Sequence, residues 1–103
     1  MSALVQVRDV PAEERYAAEV DGRAAGFAQY RLLPGTIAFV HTEVDPAFAG
    51  RGVGNALVRG ALDDARRREL AVLPYCPFVD AFIRAHREYA GLVPEARRPR
   101  FGL

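Results

Sequence analysis

The chain has no lysine, because all 14 of its basic Lys or Arg positions are arginine. That absence excludes an active-site lysine and the Walker-type phosphate loop, which needs lysine after its last glycine. A single cysteine, Cys76, excludes an internal disulfide and a cysteine metal cluster. The two histidines, His41 and His86, lie too far apart for the usual zinc-ligand spacing. We therefore expect no metal site.

The sequence also lacks a strong charge and a long apolar run at its N-terminus. A formal net charge of +1 gives no electrostatic sign of a nucleic-acid partner. The first residues have no long apolar run and meet acidic residues early, so we expect neither a signal peptide nor a membrane anchor there. With 103 residues, half of them hydrophobic, the chain has the composition of one globular domain. These features predict a cytoplasmic protein that binds neither nucleic acid nor a membrane.

Alternating apolar residues predict strands in the first half of the chain. The segment 15–32 reads as a β-hairpin with Asp21-Gly22 as its turn, since Asp-Gly is a strong hairpin signal. A Pro-Gly turn then leads into a third, more apolar strand over 36–44. The early segment 4–7 is either a further short strand or a frayed lead-in.

The second half predicts two helices around one buried strand. Apolar residues recur at three- and four-residue spacing in the first helix: Leu57, Val58, Ala61, Leu62 and Ala65. On its outer side, Asp63 with Arg67 and Asp64 with Arg68 have the spacing of i,i+4 ion pairs.

The apolar run 70–73 predicts a strand parallel to 36–44, and Pro74 ends it. Pro77 opens the second helix, whose apolar side includes His86 as a core histidine. The fold class is therefore α/β with a mixed sheet: antiparallel hairpin strands, a central β-α-β unit and a C-terminal helix. We expect one domain over 1–93 and a flexible tail over 94–103.

A glycine-rich turn connects the third strand to the first helix. Gly50, Gly52 and Gly54 occupy alternate positions, with Arg51 between the first two. Glycines alone are explained equally well by a tight turn or by backbone N–H groups that bind a phosphate at a helix N-terminus. A dinucleotide fingerprint needs a further glycine where this chain has Leu57, so that alternative is weak.

Three motifs together resemble a known family. The stretch Val44-Asp45-Pro46 followed by Gly50-Arg51-Gly52-Val53-Gly54 is similar to the coenzyme A loop of the GNAT (GCN5-related N-acetyltransferase) family. The motifs His41-Thr42-Glu43-Val44 and Cys76-Pro77-Phe78-Val79 narrow the resemblance to its minimal, single-domain members. Ala49 departs from the pattern, which usually has arginine or glutamine there. The resemblance implies a reduced GNAT fold.

The resemblance also implies acetyl-CoA as the cofactor and assigns the residues that hold it. The N–H groups of the glycine turn would bind the pyrophosphate, with Arg51 adding a charge. The implied cofactor-binding residues are Val44, Gly50, Arg51, Gly52, Val53, Gly54 and Asn55.

Acetyl transfer to an amine requires a base, and Glu43 is our candidate. Strand alternation places His41 on the same face as Glu43, together with Ile37 and Phe39, so that apolar neighbours could raise the pKa of the carboxyl. The alternative is a carboxylate that only bonds to His41.

Cys76 is the third catalytic candidate, after Glu43 and His41. It falls at the N-cap of the second helix, where the helix dipole favours a thiolate. Its role is either a nucleophile that forms an acetyl-enzyme, a polar group near the leaving sulfur, or a small buried residue at a helix start. The resemblance also makes Tyr89 a candidate to donate a proton to the leaving thiolate.

The sequence thus predicts an acetyl-CoA-dependent N-acetyltransferase. Its acceptor would be a primary amine of a small molecule, protein or peptide, and the chain would be a monomer or a weak homodimer. The alternative is a non-catalytic coenzyme A-binding or protein-interaction module on a reduced GNAT scaffold.

Overall fold

A computed structural model describes residues 4–103 as one mixed sheet with helices packed against it. The strands are β1 (Val5–Val10), β2 (Arg15–Val20), β3 (Arg23–Leu33), β4 (Thr36–Val44) and β5 (Ala71–Pro74). The helices are α1 (Val53–Arg67) and α2 (Pro77–Ala85). Short 3-10 helices occupy Pro11–Glu13, Pro46–Phe48, Arg87–Leu92 and Glu95–Phe101.

The strands follow one another across the sheet in the order β1-β2-β3-β4-β5. The first three pairings are antiparallel, and β5 pairs parallel to β4 after the crossover through α1. The predicted mixed sheet is therefore confirmed, and the early segment is a strand rather than a lead-in. The Asp21-Gly22 turn is also confirmed: both residues have positive φ, 51° and 77°, as a type I′ hairpin requires.

Helix α1 covers one face of the sheet. Its predicted apolar stripe is fully buried, and so are the residues of β2 to β4 that face it. Tyr16 and Tyr30 lie on this face, with ring centroids 5.4 Å apart. The two glycines of α1 allow close packing, since a Cβ on Gly60 would lie 3.0 Å from the side chain of Val7 in β1. The three- and four-residue spacing of apolar residues thus correctly predicted which side of α1 is buried.

A polar network ties the C-terminal end of α1 to the sheet. Tyr16 donates a 2.5 Å hydrogen bond to Asp64, and Tyr30 donates one of 2.7 Å to Asp9. Arg68 bridges both carboxylates, at 3.1 Å from Asp9 and 3.4 Å from Asp64. Burial, together with the hydrogen bond to a carboxylate, raises the pKa of each tyrosine well above its ordinary value. This end of α1 is held by charge-assisted hydrogen bonds.

The final segment differs from the expected flexible tail. Residues Glu95–Phe101 form a 3-10 helix whose Phe101 is buried against the body of the protein. The Phe101 ring meets Tyr75 edge-on at 5.5 Å, and Arg97 donates a 2.8 Å hydrogen bond to the Tyr75 hydroxyl. This segment is polar and contains Pro99, so its one aromatic residue, Phe101, forms no apolar pattern that would predict a packed segment.

None of the helices in the described part of the chain is long and apolar enough to cross a membrane.

Candidate cofactor and active site

The glycine turn leaves backbone donors free at the start of α1. Gly50 and Gly52 have φ of 78° and 75°, a backbone region that glycine enters without strain. The first helical hydrogen bond runs from Ala56 N–H to Gly52 C=O. The N–H groups of Val53, Gly54 and Asn55 come before this bond and have no acceptor within the helix. They lie at the positive end of the helix dipole. The turn therefore fits an anion.

Two hydrogen bonds hold Asp45, the residue that directly follows β4 and leads into the turn. Asp45 N–H donates to Ala25 C=O at 2.8 Å, and the Asp45 carboxylate accepts from Ala47 N–H at 2.8 Å. The 3-10 turn Pro46–Phe48 that follows buries the Phe48 ring. The glycine turn is therefore held in place by backbone bonding to β3 as well as by its own sequence.

A groove of about 280 Å³ runs along this turn. Phe78 of α2 forms one wall and stands so close to Gly54 that a Cβ there would lie 2.7 Å from its ring. The other wall is the turn itself. The groove is lined by Val44, Phe48, Ala49, Gly50, Gly52, Val53, Gly54, Asn55 and Phe78.

The two parallel strands separate before β4 ends. Their pairing stops at Phe39 and Pro74, where Cys76 N–H donates a last 2.8 Å bond to Phe39 C=O. Strand β4 continues to Val44, and within residues 4–103 no strand pairs with this stretch of its edge. A row of backbone donors and acceptors thus leads towards Val44 and the groove.

Cys76 lies at this separation. Its side chain is buried, and its Sγ is 3.4 Å from the Thr42 hydroxyl oxygen of β4. Cys76 is the N-cap residue of α2, as predicted, but its sulfur makes no capping hydrogen bond. The thiol is therefore positioned by Thr42, a residue of the His-Thr-Glu-Val motif to which the sequence assigned no role.

His41 and Glu43 face the other side of β4. Their side chains form a pair, with Nε2 3.3 Å from Oε2, and are 56% and 61% exposed. The expected shared face with Ile37 and Phe39 is wrong. The pairing with β3 shifts between Gln29 and Tyr30, so that β4 has an extra residue and its alternation reverses. Glu43 consequently does not share a face with Ile37 and Phe39.

An open groove of about 320 Å³ lies on this exposed face. The Phe27 ring lines it, with the His41 ring at 6.0 Å between centroids and the Arg15 guanidinium carbon 4.6 Å from the ring centre. Neither α1 nor α2 contributes to the lining of this groove. The lining residues are Arg15, Ala17, Ala18, Ala24, Gly26, Phe27, Glu43, Val44, Asp45 and Pro46.

The sequence profile described as GCN5-related N-acetyl-transferase matches residues 15–92. The chain belongs to this family. The match covers the hairpin, the glycine turn, both helices and β5, so every predicted site residue lies inside it.

Two solved structures are similar to this GNAT chain. The solution structure of a GCN5-like protein from Staphylococcus aureus is 23% identical, with a TM-score of 0.66 and 91% of each chain covered. The crystal structure of Ard1 from Thermoplasma volcanium is 27% identical, with a TM-score of 0.52. That alignment covers 59% of this chain and 43% of Ard1, so the chain spans less than half of that protein. A search of curated proteins finds no match.

Two late residues of the GNAT domain lie away from the glycine turn. Tyr89 donates a 2.7 Å hydrogen bond to Asp63, about 15 Å along α1 from Val53 at the usual helical rise. Burial and this hydrogen bond raise the pKa of Tyr89. His86 stacks on Phe82, and its Nδ1 lies 2.8 Å from the Phe82 carbonyl oxygen, but the residue is only partly buried and is not the predicted core histidine. Tyr89 thus packs the 3-10 helix Arg87–Leu92 against α1.

Proposed function

We propose that this GNAT domain is an acetyl-CoA-dependent N-acetyltransferase for primary amines. Family membership and the similar folds support acetyltransferase activity in general. The observation that carries the specific proposal is the continuity of two sets of free backbone groups. The unpaired edge of β4 ends at Val44, and Val44 also lines the groove of the glycine turn. An extended thioester with a pyrophosphate at one end matches that arrangement.

In this proposal the glycine turn holds the pyrophosphate through backbone N–H groups, and Arg51 adds a positive charge. The pantetheine arm follows the free edge of β4 towards the separation from β5. Phe78 and Val44 line the groove and would limit the access of water. The reactive thioester is then positioned near Thr42 and Cys76.

The acceptor amine is proposed to enter from the exposed face of the sheet. Glu43, oriented by His41, would take the proton from the ammonium group as nitrogen attacks the acetyl carbon. The carbon–sulfur bond breaks, and the leaving thiolate takes up a proton. Thr42 and Cys76 lie on the other side of β4, within reach of that sulfur rather than of the amine.

Titration calorimetry with acetyl-CoA tests the cofactor half of the proposal. We expect binding in the micromolar range, and no binding at millimolar ligand would contradict it. A screen of amines and peptides with a free-thiol readout then tests transfer. Cofactor binding without thiol release on any acceptor supports the alternative, a coenzyme A-binding module, which the exposure of Glu43 and His41 also favours.

The role of Glu43 is tested by Glu43→Gln. Because the change removes the base but leaves the glycine turn intact, we expect turnover to fall about 100-fold with little change in acetyl-CoA affinity. Glu19→Gln is the matched control, since Glu19 is a carboxylate in β2 that forms an ion pair with Arg8. Equal effects of the two substitutions would exclude a specific role for Glu43.

Cys76 is tested by mass spectrometry after mixing with acetyl-CoA. A covalent route predicts an acetyl adduct that Cys76→Ala abolishes together with turnover. A polar role near the leaving sulfur predicts no adduct, and partial turnover in Cys76→Ser, whose hydroxyl can still bond to Thr42. Full turnover in Cys76→Ala would leave Cys76 as a packing residue.

A further inference from the structure

Arg23 lies beside the glycine turn although 27 positions separate it from Gly50. It is the first residue of β3, directly after the Asp21-Gly22 turn. Two features fix its place: Gly26 pairs with Val44, and Asp45 N–H donates to Ala25 C=O at 2.8 Å. The start of β3 is therefore tied to the segment that enters the turn.

Arg23 and Arg51 share one aromatic ring. The guanidinium carbon of Arg23 is 5.2 Å from the centre of the Phe48 ring, and that of Arg51 is 5.5 Å from the same centre. Phe48 is only 4% exposed, so its ring is a fixed platform. Cation–π attraction at such distances orients both side chains without using their N–H donors.

Neither of these two arginines is neutralised. Between residues 4 and 103, no carboxylate oxygen lies within 4 Å of either guanidinium group. Six of the other twelve arginines have such a partner: Arg8, Arg15, Arg59, Arg67, Arg68 and Arg84. Two oriented guanidinium groups with free donors, next to free backbone N–H groups, are suited to a phosphate, which arginine binds through paired hydrogen bonds.

The turn itself supplies little side-chain charge. Ala49 presents only a methyl group to the groove, and the remaining turn residues that line it are glycine, valine and asparagine. Arg51 is the one cation within the turn sequence 49–55. A second cation has to come from another element, and Arg23 is the one that shares the Phe48 platform.

We propose that Arg23 and Arg51 form a phosphate-binding subsite on Phe48, which binds a phosphate group of coenzyme A. This inference rests on the proposed cofactor. Arg23 is a binding residue supplied by a hairpin outside the glycine motif. The phosphate is either the 3′-phosphate or the pyrophosphate, and these two sources are separable by experiment.

The test is titration calorimetry of wild type and Arg23→Ala with coenzyme A and with 3′-dephospho-coenzyme A. Loss of a charge-assisted hydrogen bond predicts about tenfold weaker binding of coenzyme A by Arg23→Ala. Arg31→Ala is the control, because Arg31 is an exposed arginine at the other end of β3. We expect it to change affinity less than twofold. Arg23 is exposed, so the variants should keep the melting temperature of the wild type.

Each outcome is decisive. A loss confined to coenzyme A assigns Arg23 to the 3′-phosphate, and an equal loss for both ligands assigns it to the pyrophosphate. Unchanged affinity in Arg23→Ala, or an equal loss in Arg31→Ala, overturns the subsite. If the wild type binds neither ligand, the proposed function fails instead.

Discussion

The two ends of helix α1 differ in how their polar groups are used. At the N-terminal end, backbone N–H groups have no acceptor, two glycines adopt positive φ, and a groove opens beside them. At the C-terminal end, Asp64 accepts hydrogen bonds from Tyr16 and Arg67, and Arg68 links it to Asp9. One end of the helix offers donors to a ligand, while the other has satisfied its charges within the protein.

The contrast separates binding from stability. The tyrosines with strongly raised pKa values, Tyr16 and Tyr30, lie near the C-terminal end of α1. A search for a functional site by shifted pKa values alone would therefore select that end. Those shifts come from burial and from the hydrogen bonds to Asp64 and Asp9, and their partners are structural. The backbone groups without a protein partner lie at the N-terminal end, where the proposed cofactor would bind.

The largest expected effect is on stability, from Asp64→Ala. The change leaves the buried Tyr16 hydroxyl without its acceptor and removes a partner of Arg68, so the free energy of unfolding should fall by about 2–3 kcal/mol. Urea denaturation measures this loss. Coenzyme A affinity should stay within twofold, because the glycine turn is at the other end of α1.

Arg67→Ala is the control for this change. Arg67 also bonds to Asp64, but its side chain is 73% exposed, so its removal should cost less than about 1 kcal/mol. If Asp64→Ala weakened coenzyme A binding tenfold in a fully folded protein, the two ends of α1 would be coupled and the comparison would fail.

The next effect is on affinity, from Gly52→Ala. A Cβ at φ 75° strains the turn by about 1–2 kcal/mol and shifts the N–H groups that follow, so coenzyme A binding should weaken about tenfold. Calorimetry measures the affinity. Gly52→Asn is the matched control, because asparagine enters the left-handed region more easily than alanine and should retain more of the binding. Wild-type affinity in Gly52→Ala would show that the turn does not hold the ligand.

The same comparison shows which features could be predicted from the sequence. The strand before Val44, the Asp21-Gly22 turn and the apolar stripe of α1 are local patterns, and the structure has all of them. The glycine turn was identified because positive φ and free N–H groups depend on neighbouring residues only.

Features set by distant partners could not be predicted. The expected pair of Asp63 with Arg67 does not form, because Asp63 accepts from Tyr89 and Arg67 bonds to Asp64 instead. The extra residue in β4 depends on its pairing with β3 and reverses the face of His41 and Glu43. Spacing along one element cannot reveal a partner from another, nor a bulge that two strands create together.

A smaller effect on binding is expected from Gly54→Ala. The new Cβ would lie 2.7 Å from the Phe78 ring, which is 41% exposed and can rotate away, so the loss of stability should be small. Since Phe78 lines the groove, its displacement should weaken coenzyme A binding about threefold. In a Phe78→Leu background the same change should have less effect, because the clash is absent.

Gly60→Ala is the matched change at the second glycine of α1, in the middle of the helix. Its Cβ would approach Val7 in β1 at 3.0 Å, away from the groove, and coenzyme A affinity should not change. Equal losses of affinity in Gly54→Ala and Gly60→Ala would mean that helix α1 as a whole, rather than the contact with Phe78, controls the groove.

The smallest effect is the acid dependence of the C-terminal network. The pKa of Asp64 lies below its ordinary value of 3.8. Burial raises this pKa, but the hydrogen bonds from Tyr16 and Arg67 and the charge of Arg68 lower it by more. A carboxyl group with a lowered folded-state pKa binds more protons when unfolded, so its contribution is complete above the unfolded pKa. That contribution is lost as pH falls below about 4, with a slope of at most about 1.4 kcal/mol per pH unit.

Urea denaturation of wild type and Asp64→Asn between pH 3 and pH 6 measures this contribution. The difference in unfolding free energy between them should be constant near pH 6 and shrink below pH 4, because the asparagine side chain does not titrate. Parallel loss of stability in both proteins would show that Asp64 is not the acid-sensitive group. The C-terminal end of α1 would then owe its stability to the packing of the Tyr16 and Tyr30 rings rather than to the charge of Asp64.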